Sequence, residues 1–287
     1  MSPRRRKYNS KKKKTQLSHT GKIVLAVTLI VIFVAAWQIW ADSAKANNST
    51  QVVAPGDSTN LTTVVMPADV PSQIVPYHGF TLSYNPRMHV PNWVAWELTA
   101  DETDGTVSRE NKFYCDEQVT GCAEPYDYNY SGYDRGHMCP AGDMKWSRES
   151  MHDSFSMANI CPQQGALNTG TWKRLEENCR KWAKSQGSLI VICGPVLTDN
   201  ITEYLGDTRV AVPKRFYKVL LNPNTSPMMG IGFIMNNGRV EGGMQQAAVS
   251  IDEVERVTGL DFFAELPDDI ENEVEKQCEF YKWSRTK

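Results

Sequence analysis

The densest run of chemically useful side chains is Tyr133-Asp-Arg-Gly-His-Met-Cys-Pro-Ala-Gly-Asp-Met144. His137 titrates near neutrality, Arg135 carries a fork shaped for phosphate, and Gly136 lets the backbone come close to a partner. Side by side, these are what a general base next to a phosphodiester needs. A histidine is more often a satisfied core or surface residue, so the run alone leaves both readings open. His137 and Cys139 would share a face if both lie in one strand, the proximity that Cys–His nucleophilic catalysis requires. Zinc held by His137, Cys139, Cys115 and Cys122 is a weaker option, because the close C-x2-C pairs of zinc motifs are missing.

A second chemical stretch follows on what must be a helix. Asn168 to Ser185 has helical periodicity and stops at Gly187. At about 100° per residue from Asn168, the trio Asn168, Glu176 and Arg180 falls beside a stripe made of Leu175, Cys179 and Trp182, whereas Lys173, Glu177 and Lys181 take the opposite, solvated face. A carboxylate and a guanidinium bordering a buried face are costly unless partnered. An i,i+4 pair between Glu176 and Arg180 that only supports the helix would explain them equally well.

Taken together, Asp134-Arg-Gly-His137, Asn159-Ile-Cys-Pro-Gln163, Asn168, Glu176 and Arg180 resemble the DNA/RNA non-specific endonucleases, a family with a ββα-metal (His-Me) finger that includes the endonuclease G type. Both the D-R-G-H core and the N-x8-N-x7-E-x3-R spacing match in order. The likeness spans roughly residues 77–280 and extends to the late segment Ser250–Phe263. It implies that His137 is the general base and that Asn168 is the direct protein ligand of a divalent metal, Mg²⁺ or a substitute such as Mn²⁺. Glu176 would then hold water in the metal's shell, Arg180 and Arg135 would face phosphate, and Asn159 would support the site. The implied substrate is DNA, with RNA as an open second substrate, cut with little sequence preference because contacts go mainly to phosphate and sugar. Cys139 and Cys161 stand where small Ala and Ser residues are common in the family, and a Cys139–Cys161 disulfide is the expectation. An exported cysteine hydrolase using Cys139 and His137, and a non-catalytic polyanion-binding envelope protein, are the alternatives.

The elements that must position these residues are legible in outline. Trp93–Thr99, Ser188–Cys193, Arg215–Leu221 and Met229–Met235 read as strands, and residues 101–131 as loop. A helix is predicted after Ser250 and a last one over 269–280, and no internal repeat is visible. Strands and helices do not alternate regularly, which favours an α+β fold. With the resemblance, the expected architecture is a mixed, mainly antiparallel sheet with helices packed on it and a ββα-metal motif, preceded by one transmembrane helix.

The 287 residues, 41% hydrophobic, are enough for a large core and exclude a disordered chain or a small disulfide scaffold. The net charge of −2 conceals an asymmetry: nine of the 31 basic residues lie at or before Lys22, and all 33 acidic residues lie after it. The body is therefore acidic, most of all over residues 252–279, where 11 acids face only Arg256 and Lys276. Such a body is not a generic polyanion binder, and nucleic acid would need a local basic site. Ile23 to Trp40 is uncharged and about 27 Å long as a helix, the thickness of a hydrocarbon core. The expected organisation is a basic cytoplasmic tail over 1–22, a transmembrane signal-anchor over 23–40, a flexible linker over 41–76 and a catalytic domain over 77–287. The domain would lie outside the cytoplasm, membrane-anchored, or secreted if Ala44-Lys45-Ala46 is a cleavage site. Seven cysteines fit an exported protein, and their odd number leaves one unpaired or joined to a second chain, as in a homodimer.

Overall fold

The computed structural model describes residues 60–285. The predicted basic tail, the membrane span at 23–40 and most of the linker lie outside the described residues. Among the described residues no helix is long and apolar enough to cross a membrane.

Among the described residues, thirteen strands and six α-helices follow in chain order. The first strands are β1 (Val64–Val65), β2 (Gln73–Pro76), β3 (Thr81–Asn85) and β4 (Val90–Thr99). Next come β5 (Asp134–His137), α1 (Arg148–Ser154), β6 (Ile160–Gln163), α2 (Lys173–Gln186) and β7 (Ser188–Pro195). The chain continues with β8 (Tyr204–Leu205), β9 (Val210–Ala211), β10 (Arg215–Asn222) and β11 (Met229–Asn236). It closes with α3 (Gly243–Ala247), β12 (Ala248–Val249), α4 (Ile251–Thr258), β13 (Asp261–Phe262), α5 (Asp268–Glu275) and α6 (Phe280–Arg285).

One seven-stranded sheet, in the order β12-β11-β10-β7-β4-β3-β2, organises the protein. All its neighbouring strands are antiparallel. The single parallel contact among the described residues is an isolated bridge between Tyr114 and Ser156. The result is an α+β fold built on an antiparallel sheet. β7 is buried at every position, because both faces of the sheet are covered. Alternation along the central strands builds two cores. Trp96, Leu98, Val191, Cys193, Phe216 and Leu220 pack on one side with Leu175, Cys179 and Trp182 of α2. Trp93, Ala95, Ile190, Ile192, Tyr217 and Val219 pack on the other with Ile251 and Val254 of α4 and Val274 of α5. Burying a leucine such as Leu175 is worth about 1.5–3 kcal/mol, so α2 is held by its apolar stripe rather than by propensity.

The four predicted strands and the helix after Ser250, whose hydroxyl caps it, are where the sequence puts them. Three boundaries differ. The ordered body begins well before residue 77: β1 pairs with β13, and β2 is the edge strand of the main sheet. Buried Val64 and Val75 are too widely spaced within a Ser/Thr/Pro-rich stretch to show periodicity. The predicted helix at 269–280 is two shorter ones, α5 and α6, separated by a break at Gln277–Glu279. The helix from Asn168 is not uniform either: Leu167–Trp172 is a π-helical segment with non-helical backbone at Gly170, and α2 proper starts at Lys173. A single 100° wheel therefore does not carry from Asn168 to Glu176.

Candidate active site

β5 and β6 form a two-stranded antiparallel pair, Asp134 opposite Gln163 and His137 opposite Ile160, and the chain then turns directly into the π-helical segment and α2. This arrangement carries the chemistry. Asn159, fully buried, sits at the entry to β6 and latches the continuation of β5. Its Oδ1 accepts from the Cys139 amide at 2.9 Å, and its Nδ2 donates to the carbonyls of Cys139 (2.8 Å) and Ser154 (2.9 Å). An asparagine satisfies a donor and an acceptor of one peptide at once, as a strand partner would.

A cavity of about 380 Å³ is lined by Arg109, His137, Pro140, Gly142, Asn168, Thr169, Lys173, Glu176 and Arg180. Four of the residues singled out in the sequence, His137, Asn168, Glu176 and Arg180, meet there. His137 is 8% exposed, packed between Phe113 (centroids 5.4 Å apart) and Phe155 (4.9 Å, edge on). Its Nε2 has no hydrogen-bond partner among the described residues. Burial first, and then the charge of Arg109, pull its pKa down to about 3, so the imidazole is neutral but weakly basic in the empty cavity, and the negative charge of a bound phosphate would raise its basicity. Asn168 donates from Nδ2 to Asp134 Oδ2 at 3.0 Å, which leaves the amide oxygen without a partner among the described residues.

Glu176 makes no hydrogen bond among the described residues. Burial pushes its carboxyl up to about 7, opposed by the nearby charges of Lys218, Arg180 and Arg109. Arg180 does not pair with Glu176: its guanidinium donates to Asp143 Oδ1 at 2.6 Å, and the indole of Trp96 donates to Asp143 Oδ2 at 3.2 Å. The helix-supporting i,i+4 pair is therefore not formed. Gly142 permits this geometry, since a Cβ there would lie 2.8 Å from the Arg180 guanidinium.

Arg135 is not brought to the cavity. It shares the His137 side of β5 and the Phe113 ring, but its guanidinium donates to the Pro125 carbonyl and to Asn129 Oδ1 and lies over Phe113 and Tyr128. It braces the loop at 125–129. Gly136 serves packing, since a Cβ there would lie 2.3 Å from the Gln163 amide. Cys139 and Cys161 are not bonded, and all seven cysteines are free thiols. In the β5–β6 register Cys161 lies opposite Gly136, whereas Cys139 lies past the end of β5, where its backbone is held by Asn159. The cysteine-hydrolase alternative fails as well, because Cys139 is fully buried, does not line the cavity and has its thiol pKa pushed well up by burial.

Four contributors were not singled out from the sequence. Lys173, assigned there to the solvated face, lines the cavity. Arg109 comes from a loop with no motif. Asp134 orients Asn168, and its signal was its place at the head of the D-R-G-H run. Lys218 is 1% exposed, its Nζ 4.4 Å from the Trp172 ring centroid and 5.1 Å from that of Trp96, and its charge acts on Glu176. A lysine at an inward position of an apolar strand, Arg215-Phe-Tyr-Lys-Val-Leu, was the available signal.

The donor set suits a hard divalent cation. An amide oxygen and a carboxylate, both without partners among the described residues and both lining the cavity, fit Mg²⁺, which accepts few protein ligands and keeps its waters.

Comparison with known proteins points to one family of nucleases. Residues 57–269 match the family model described as DNA/RNA non-specific endonuclease. The chain is 34% identical over 207 residues to a protein named "Nuclease EXOG, mitochondrial" from Danio rerio, which covers 66% of this chain and 60% of that one. It is 33% identical over 205 residues to "Nuclease C1" of Cunninghamella echinulata, covering 66% of this chain and 81% of the relative. It thus spans 60% of the length of the Danio rerio relative. Among solved structures, a crystal structure of an EndoG/EndoGI complex is similar with a TM-score of 0.63 and 29% identity, covering 68% of this chain and 86% of that one.

Proposed function

This chain belongs to the DNA/RNA non-specific endonuclease family, and from that premise we propose that it is a divalent-metal-dependent endonuclease that hydrolyses phosphodiester bonds in DNA, and in RNA as well. The observation that carries the reading is the convergence of His137, Asn168, Glu176 and Arg180 on one cavity, with Arg109 and Lys173 on its walls.

Each side chain has a task that its surroundings support. Asn168 would hold the cation, Mg²⁺ or Mn²⁺, through the amide oxygen that the Asp134 hydrogen bond leaves free. When bound, the cation would offset charge developing on the scissile phosphate and leaving oxygen. His137, neutral and with Nε2 unpartnered, takes a proton from the attacking water. Glu176 accepts hydrogen bonds from water ordered in the cavity. Arg180, fixed by Asp143, together with Arg109 and Lys173 supplies positive charge against the phosphate. These cations answer the acidity of the body: affinity comes from a local basic cavity, and no base edge need be read.

The expected anchor at 23–40 and the placement of the body outside the cytoplasm belong to the same proposal, supported by the uncharged run and the basic tail before it. A homodimer remains a proposal carried by the cysteine count alone. The test of the activity is incubation of the full chain with plasmid DNA and with single-stranded RNA, with Mg²⁺ or with chelator. Cleavage that needs the metal is expected. Absence of cleavage in Mg²⁺, or cleavage undiminished by chelator, overturns the reading.

A further inference from the structure

We propose that Asp252, Glu255 and Glu275, with Asp261 and Glu271 beside them, form a second cation site, suited to Ca²⁺, on the side of the sheet opposite the cavity. α4 supplies Asp252 and Glu255, α5 supplies Glu271 and Glu275, and Asp261 opens β13. These elements pack on the core face that carries Ile251, Val254, Phe262 and Val274, whereas α2 and the cavity belong to the other face.

Two trios share Glu275. In Asp252/Glu255/Glu275 and again in Asp261/Glu271/Glu275, one carboxylate oxygen from each residue lies within 4.8 Å of the others. Separations within that bound suit either ion, but five carboxylates favour Ca²⁺, which takes about 6–8 oxygens, over Mg²⁺, which is usually held through one or two carboxylates and keeps its waters.

Acidic clusters are common without an ion, and it is Glu275 that distinguishes this one. It is 8% exposed, and its Oε1 has no hydrogen-bond partner among the described residues, yet its carboxylate belongs to both trios. A buried carboxylate oxygen left unpaired is costly. None of the five acids forms an ion pair with a lysine, arginine or histidine among the described residues. Arg256, the basic residue of α4, is taken by Glu253. Burial, then the charges of Glu255, Glu271 and Asp252, push Glu275 up to about 8, and Glu255 is pushed to about 7. Mutual repulsion of this kind calls for a counter-charge, either a cation or a shared proton. Glu255 is already aimed, its Oε1 accepting from the Phe262 amide at 2.8 Å. A cation here would join α4, α5 and β13, and through the β13–β1 pairing it would tie down the amino-terminal strand.

The test uses the full chain, freed of metal by chelator and kept in non-ionic detergent. CaCl₂ and MgCl₂ are titrated by calorimetry, and the thermal unfolding midpoint is followed in parallel. Wild type and Asn168→Ala should both bind Ca²⁺ with a midpoint rise of about 5–10 °C at a hundredfold excess over Kd, with Mg²⁺ much weaker in Asn168→Ala. Glu275→Gln should lose both the heat and the shift. If that variant does not fold, the exposed double variant Asp252→Asn/Asp261→Asn should bind Ca²⁺ at least tenfold more weakly. The proposal falls if Asn168→Ala takes up no Ca²⁺, or if both sets of variants bind it like wild type. It falls also if Glu275→Gln raises the midpoint equally with and without Ca²⁺ while wild type ignores the ion. In that case the carboxylates share a proton.

Discussion

His137 is held by apolar walls rather than by hydrogen bonds. Phe113 and Phe155 fix the ring, and the desolvation they impose keeps it neutral. Replacing it with alanine should lower cleavage by about 10²–10⁴-fold while the folded spectrum is kept. Retention of a tenth of the wild-type rate would remove it from the proton-transfer role. The same depressed pKa makes a stability prediction. In the unfolded chain a histidine takes up a proton below about pH 6.5, but in the folded protein His137 does so only near pH 3. Its contribution is therefore complete above pH 6.5 and is lost as the pH falls toward 3, about tenfold in the unfolding equilibrium per pH unit below 5.5. Glu176, raised to about 7, acts in the opposite direction between its ordinary carboxylate range and 7. The measurement is thus a difference: denaturant unfolding of wild type and His137→Asn in chelator at pH 4 to 7. His137→Asn should be relatively more stable at the acid end. Parallel curves would mean that the folded imidazole titrates as it does in the unfolded chain, with no depressed pKa. Asn168→Ala should raise the Mg²⁺ concentration needed for half-maximal cleavage, and an unchanged titration would assign the ligand elsewhere.

At the scale of elements, the cavity depends on how β5 and its continuation are tied to their neighbours. Asn159 does this with three hydrogen bonds, two of them to the Cys139 peptide. Asn159→Ala leaves the buried Cys139 amide and carbonyl unpaired, at about 1–3 kcal/mol for each group. It should lower the thermal midpoint and impair cleavage together. Cleavage lost with the midpoint unchanged would instead place Asn159 against substrate or metal. The latch was marked in the sequence only through the N-I-C-P-Q resemblance, because nothing in an isolated Asn says which peptide it will clamp. The disulfide expected from the same region failed because sequence proximity to the site does not set strand register. The pairing of Gly136 with Cys161 does.

At the scale of the whole molecule, the antiparallel sheet separates a catalytic side, with α2 and the β5–β6 pair, from a side carrying α4, α5 and the acidic cluster. The body reaches back past the expected boundary at residue 77, so a chain begun at residue 77 should be less stable than one begun at residue 57. It loses the edge strand β2, the β1–β13 pairing and the buried Val64 and Val75. Comparison of thermal midpoints decides this, and equal values would show that residues 60–76 add nothing to the fold.

The sequence by itself determined the α+β class, the central strands and the α4 start at Ser250, and its resemblance to the nuclease family pointed to the four residues that meet in the cavity. Each rests on local information: alternation in strands, a cap, and a motif whose spacing places side chains along one chain segment. Only the tertiary structure decided where Arg135 points, that Arg180 pairs with Asp143 and not with Glu176, that Arg109 and Lys173 line the same cavity, and that the charge of Lys218 lies near Glu176. It also decided that Cys139 and Cys161 stay apart. In each case several side chains compete for one partner, and the winner is fixed by packing between segments distant in sequence. Arg180 and Asp143 are 37 residues apart, and one missing Cβ at Gly142 gives the guanidinium room to reach Asp143.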